Sequence, residues 1–107
     1  MRRRERLSVD MAILGQTQTL RIHGGAVTES ESLAKAQRRF RATLGQNVRK
    51  LRLSLEMTQV DLADRAETRR ALISDIERGA TNTTLDTVVR IATVLGVGPA
   101  ELFKPRR

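Results

Sequence analysis

The side chains that could carry out catalysis are few and poorly grouped in this sequence. His23 is the only histidine, and two glycines follow it, so no partner for proton transfer or metal binding stands beside it. Asp61 and Asp64 are three residues apart on one face of a predicted helix, where an acid pair without further ligands usually belongs to a solvated surface. The sequence has no cysteine, which removes thiol chemistry, disulfides and cysteine-bound zinc. We therefore expect no enzymatic activity, no metal and no cofactor.

Basic side chains are the abundant chemical group. The 107 residues include 20 Lys and Arg against 12 Asp and Glu, which gives a formal net charge of +8. Residues 29–55 alone have seven basic residues against two acidic ones. A polyanion is the expected partner, and nucleic acid comes before anionic lipid. The basic residues from Lys35 to Arg41 lie on a predicted helix whose apolar stripe continues into the core, so no membrane association is expected.

Short helices are the elements predicted to position these groups. Apolar residues recur every three or four positions from Leu33 to Leu55, which predicts one amphipathic helix over about residues 29–54. Thr28 and Glu31 have capping-box spacing, and Gly45 marks either a weak point or a break in the helix. Three more helices are predicted over residues 58–66, 70–78 and from 83 or 84 to 95, with a short fifth turn or helix over 99–103. The compact part of the chain, residues 29–107, is therefore predicted to be all-α.

Residues 1–28 are predicted to be a separate N-terminal arm. Two short alternating stretches, residues 8–14 and 17–23, are separated by Gly15 and Gln16, which is compatible with either a β-hairpin or a flexible tail. Its arginines at positions 2, 3, 4 and 6 can approach phosphates or a minor groove.

The second and third predicted helices have the pattern of a helix-turn-helix. They are short, a tight turn joins them, and the small Ala63 lets them approach closely. An ordered series of motifs over about residues 40–104 resembles the lambda-repressor/Cro-like (XRE-type) DNA-binding family. The residues that carry the resemblance are Leu44-Gly45, Val48 to Arg52, Met57-Thr58-Gln59, Leu62-Ala63, Ile73-Ser74, Ile76-Glu77, Gly79, Asn82, Thr84-Leu85, Ile91-Ala92, Leu95-Gly96-Val97 and Leu102.

This resemblance implies a compact five-helix bundle whose third helix enters the major groove while the second lies across the backbone. Family positions that face bases correspond to Arg69, Arg70, Ala71, Ser74 and Asp75. Gln59 corresponds to a residue that contacts phosphate and braces the third helix, and Asn82 to a phosphate contact. Arg52 and Glu77 correspond to a paired Arg and Glu that join the first helix to the end of the third.

Several of these positions have a simpler interpretation beside the functional one. Arg70 is either a base contact or a solvated charge, and Gln59 can be an ordinary polar residue of a first turn. Asn82 also suits a turn for local reasons. Asp75 can accept from cytosine N4 or be an exposed acid repelled by phosphate.

Two residues depart from the family pattern in the turn before the third helix. Glu67 stands where the family usually has a glycine in left-handed conformation, at a cost of about 1 kcal/mol. The family's Ser or Thr cap falls on Arg69, with Thr68 one residue early. Either the helix begins one residue sooner or it has no side-chain cap.

The resemblance implies a sequence-specific regulator of transcription that binds double-stranded DNA, a dimeric repressor in the cytoplasm of a bacterium or from a phage, associated with the nucleoid when bound. Dimerisation is expected through Val97, Leu102 and Phe103, unless Phe103 only covers the monomer's own core. The alternative is an antitoxin that captures a partner toxin through residues 1–28 and regulates its own promoter.

Overall fold

A computed structural model describes residues 30–105, which form four α-helices and one 3-10 helix. The helices are α1 (Leu33–Ser54), α2 (Gln59–Arg65), α3 (Arg70–Glu77) and α4 (Leu85–Leu95), and the 3-10 helix spans Pro99–Phe103. The all-α prediction is confirmed for this part of the chain, where no strand occurs. The fifth predicted element is the 3-10 helix. The predicted arm, residues 1–28, lies outside the described residues.

Side-chain caps determine where three of the helices begin. Ser32 Oγ accepts the amide of Lys35 at 3.2 Å and starts α1, which therefore begins at Leu33 rather than near residue 29. Thr58 and Asp61 form a reciprocal capping box on α2 with distances of 3.0 and 2.9 Å. The backbone hydrogen bond from Thr58 holds the pKa of Asp61 below its ordinary value. Thr84 caps α4 without such a box, since its Oγ1 accepts the amide of Thr87 at 3.1 Å.

A glycine lets α1 cross closely over the C-terminal end of α3. A Cβ at Gly45 would lie 2.2 Å from the carbonyl oxygen of Ile76 and 2.8 Å from that of Glu77. Of the two expectations for Gly45, a break in the helix is wrong, because α1 continues through this residue without interruption. The glycine is required by the approach of a neighbouring backbone rather than by a bend in its own helix.

The core lies where all five helical elements meet. Leu44 is the first core residue on α1, and the exposed Leu33 precedes this packed part of the helix. Ala63 is almost fully buried, as the close approach of α2 and α3 requires. The core consists of Leu44, Val48, Met57, Leu62, Ala63, Ala66, Ile73, Ile76, Val88, Ile91, Ala92, Leu95 and Leu102. Among residues 30–105, no helix has the length and apolar character needed to cross a membrane.

Candidate nucleic-acid interface

The outer face of α3 brings together the side chains predicted to contact bases. Arg70 and Ser74 are four residues apart, as are Ala71 and Asp75, so the two pairs lie along adjacent strips of the helix surface. Arg70 and Ala71 are exposed, and Ser74 and Asp75 are partly exposed. The opposite face carries Ile73 and Ile76, which are fully buried in the core. α3 is therefore held from behind and presents a mixed cationic and small-residue surface to solvent.

Arg69 precedes α3 instead of belonging to it. Its backbone is extended, with φ −101° and ψ 148°, and its side chain makes no capping hydrogen bond. Its carbonyl oxygen accepts the amides of Leu72 and Ile73 at 3.0 and 3.3 Å. Of the two alternatives left by the sequence, the helix lacks a side-chain cap and does not begin one residue sooner. The exposed Arg69 side chain therefore lies just before the first turn of α3 and is not used to cap the helix.

The turn between α2 and α3 has the left-handed backbone that the family pattern implies. Glu67 has a φ of 58°, a conformation that costs a residue with a Cβ about 1 kcal/mol. The amide of Thr68 donates to the carbonyl oxygen of Ala63 at 2.9 Å and closes the turn. Arg90 of α4 stabilises this turn, since its Nε donates to the carbonyl oxygen of Ala66 at 2.8 Å.

The charge of Asp75 is balanced at the end of α3. Its carboxylate pairs with Arg78, the residue that follows the helix, and the exposed fraction of the side chain is 63% for Arg78 and 42% for Asp75. Asp75 is therefore a partnered acid, and its repulsion of a neighbouring phosphate is reduced by the guanidinium beside it.

A buried network joins α1 and α2 to the end of α3. Arg52 Nε and Nη2 donate to the two carboxylate oxygens of Glu77 at 2.6 and 2.9 Å, and Arg52 Nη1 donates to the carbonyl oxygen of Met57 at 2.8 Å. The exposed fraction of the side chain is 8% for Arg52 and 2% for Glu77. The hydrogen bond to Glu77 raises the pKa of Arg52 against the opposing effect of burial. The pair is bidentate, which fixes both distance and orientation.

Gln59 also contacts this network. Its Nε2 donates to Glu77 Oε1 at 3.1 Å and so links the first turn of α2 to the last turn of α3. A side-chain amide has two N–H donors, so the second N–H of Gln59 is not used by this bond. The partly exposed amide can therefore brace α3 and still donate outward.

Asn82 lies in the loop between α3 and α4 and is exposed. It lines an open groove of about 220 Å³ together with Thr81, Thr83 and Arg41, the last of which belongs to α1. The groove is bounded on its apolar side by Phe40, Leu44, Val88 and Phe103. The exposed amide at this loop is thus beside a basic residue of the long first helix.

Two polar side chains that hold the domain together were missed by sequence reasoning. Asn47 is fully buried, and its Nδ2 donates to the carbonyl oxygens of Leu102 and Lys104, each at 2.8 Å. Arg90 makes the contact to Ala66 described above. Both side chains bond backbone carbonyls far away in the chain, so no residue pattern near either one indicates the partner.

The residues predicted for a dimer interface differ in their accessibility. Leu102 is 0% exposed and belongs to the core of the single chain, so its side chain cannot form the contact predicted for it. Val97 and Phe103 are partly buried, and the Phe103 ring lies 6.4 Å from that of Phe40.

Across residues 30–105, no three His, Asp or Glu side chains are grouped to hold a metal ion.

Known proteins share the part of the chain that forms this site. The family HTH_3, described as helix-turn-helix, matches residues 48–102. Control protein C.BamHI of Bacillus amyloliquefaciens is 46% identical over 65 residues, which cover 60% of this chain and 80% of that protein. The immunity repressor protein of Bacillus phage phi105 is 38% identical over 55 residues, covering 51% of this chain and 38% of the repressor. The structure of the restriction-modification controller protein C.AhdI from Aeromonas hydrophila gives a TM-score of 0.57 at 33% identity and covers 59% of this chain and 96% of that one.

Proposed function

Because the chain belongs to the helix-turn-helix family HTH_3, we propose that it is a dimeric repressor that places α3 in the major groove of a near-palindromic DNA site. Family membership confirms the XRE-type resemblance of the motifs, and the chain is a DNA-binding transcriptional regulator. We propose further that residues 29–107 are the DNA-binding domain and that the protein acts in the cytoplasm.

The outward face of α3 is the observation that carries the assignment of base contacts. Arg70 is exposed in the first turn of α3, where its guanidinium can bond guanine O6 and N7 bidentately. Ala71 can touch a thymine methyl group, and Ser74 can bond either a donor or an acceptor edge. Arg69 extends the same surface from just before the helix. Asp75 can accept from cytosine N4 through the carboxylate oxygen that Arg78 does not bind.

Phosphate contacts are assigned to Gln59 and Asn82. Gln59 has a spare N–H donor at the start of α2, next to the end of α3 that it braces. Asn82 is exposed in the loop that follows α3. Contacts beside the C-terminal end of α3 would fix the register of the helix in the groove without selecting a sequence.

Dimerisation is proposed through the C-terminal part of the domain. Val97 and Phe103 remain partly accessible, and α4 presents Leu85 and Val89 four residues apart on one exposed face. A two-fold dimer would place its two α3 helices about 34 Å apart, a distance equal to one helical turn of DNA. The alternative function, an antitoxin that captures a toxin through residues 1–28, is not favoured by relatives described as a control protein and a repressor.

Selection from a random duplex library tests the proposed function. The purified protein is expected to enrich a near-palindromic sequence and to bind it at least ~10³-fold more tightly than bulk DNA. Affinity should fall steeply with salt, because basic side chains release counterions from phosphates. Equal affinity for the enriched sequence and for a scrambled duplex of the same length would refute sequence-specific repression.

A further inference from the structure

A row of basic residues continues on α1 beyond the point where that helix crosses α3. Gly45 faces the end of α3, because a Cβ added to it would lie 2.2 Å from the Ile76 carbonyl oxygen. Arg41 and Arg38 precede Gly45 by four and seven residues, so at about 100° per residue they lie within about 40° of its direction around the helix. Both arginines therefore project on the α3 side of α1, in the turns that precede its packed part.

Contacts between α1 and the end of α3 place this row next to the α3–α4 loop. A Cβ at Gly79 would lie 3.4 Å from the Cα of Ala42 and 3.7 Å from the carbonyl carbon of Arg41. Arg41 also lines the same groove as Asn82. The phosphate contact proposed for Asn82 is thus continuous with Arg41, and Arg38 follows at a spacing of about 5 to 6 Å between Cβ atoms.

The pairing of the α1 arginines differs sharply between neighbours. Arg39 is bound to Glu31 through two hydrogen bonds of 2.9 and 2.8 Å, and its guanidinium lies 4.8 Å from the centre of the Phe40 ring. Within residues 30–105, Arg38 and Arg41 make no ion pair and no side-chain hydrogen bond. Two guanidiniums without an acidic partner on the DNA-facing side are positioned to bind an anion.

We propose that Arg38 and Arg41 bind backbone phosphates that flank the bases contacted by α3, so that the first turns of α1 lengthen the DNA contact beyond the helix-turn-helix itself. This inference rests on the proposed function, because it takes the orientation of α3 and the role of Asn82 from it. Continuity with that surface and an excess of positive charge favour duplex DNA as the ligand over a small anion. Phosphate contacts of this kind add affinity without selecting bases.

The double variant R38Q/R41Q tests the proposal on a duplex that extends well beyond the selected sequence. Each lost phosphate contact should reduce the slope of log affinity against log salt by about 0.9, so a reduction of about 2 is expected for the pair. At about 0.1 M salt, affinity should fall by roughly 20- to 100-fold, while the ratio between specific and scrambled DNA stays unchanged. Gln keeps a high helix propensity, and an unchanged thermal unfolding midpoint verifies the fold.

R39Q is the matched control. It removes one formal charge from the same part of α1, where R38Q/R41Q removes two. Because Glu31 already pairs the Arg39 side chain, the salt slope of R39Q should remain that of the wild type. A second control shortens the duplex from its ends while the selected bases are kept. Wild type and R38Q/R41Q should converge in affinity once the flanking phosphates are gone.

Three results would overturn the inference. The first is a salt slope in R38Q/R41Q that equals that of the wild type. The second is a salt slope in R39Q that falls by as much for each removed charge as the slope of R38Q/R41Q is expected to fall. The third is a deficit that persists on the shortest duplex that retains the selected bases. Failure of the proposed function is a separate result, since the wild-type protein would then show no preference for any sequence in the same assay.

Discussion

The ion pair between Arg52 and Glu77 illustrates how single residues hold α3 in place. Both side chains are almost fully excluded from water and meet through two hydrogen bonds. Gln59 shares the Glu77 carboxylate, so the first turn of α2 depends on the same contact. A charge buried in this way is tolerated only while its partner is present.

Loss of either partner should therefore be costly. We expect Arg52→Ala and Glu77→Ala each to lower the free energy of unfolding by about 3 to 5 kcal/mol, because the remaining charge stays buried without a partner. The double variant should lose less than the sum of the two. Urea unfolding of the four proteins measures this coupling. If the single variants do not fold, Glu77→Gln, which keeps the shape and one acceptor, replaces Glu77→Ala. Additive losses would mean that the two side chains do not stabilise each other.

At the scale of elements, the left-handed backbone in the turn between α2 and α3 lowers the free energy of unfolding, and a substitution can relieve this. Glu67 has a φ of 58° and is exposed. Glu67→Gly should raise the free energy of unfolding by up to about 1 kcal/mol, because glycine adopts this conformation without a Cβ clash. Thermal or urea unfolding measures the effect. Glu67→Ala, which removes the same charge but keeps the Cβ, is the control and should show no such gain; equal stabilisation of both variants would point to charge instead of backbone.

The elements differ in how well the sequence predicts them. The starts of α2, α4 and the 3-10 helix follow from local signals, namely Thr58, Thr84 and Pro99. The role of Gly45 cannot be found in this way, because what fixes it is the backbone of α3, about thirty residues later in the chain. The same holds for Asn47 and Arg90, whose partners are carbonyl groups on other elements. Local sequence patterns predict helix caps and the buried faces of helices. The close approach of two helices, and the backbone partners of distant side chains, are determined only when the whole domain has folded.

For the molecule as a whole, the exposed apolar face of α4 leads to a prediction about oligomeric state. Val89 is 41% exposed on α4, and Val60 is 49% exposed on α2. Val89→Lys should shift the protein from dimer to monomer in sedimentation at micromolar concentration, because a charge would be placed in an apolar interface. Val60→Lys is the matched control and should remain dimeric. A wild-type protein that is monomeric both free and bound to DNA would contradict the proposed interface.

The most direct test of the central claim, that α3 selects bases, compares the sequences selected by the wild type, Arg70→Ala, Arg69→Ala and Gln59→Ala. Arg70→Ala should weaken binding to the preferred site by about 1 to 3 kcal/mol relative to scrambled DNA and relax one base position in each half-site. Gln59→Ala should weaken all sequences by a similar factor, since its proposed partner is a phosphate. If Arg69→Ala and Arg70→Ala both lower affinity uniformly and leave the selected sequence unchanged, these side chains bind the backbone and α3 does not select bases through them.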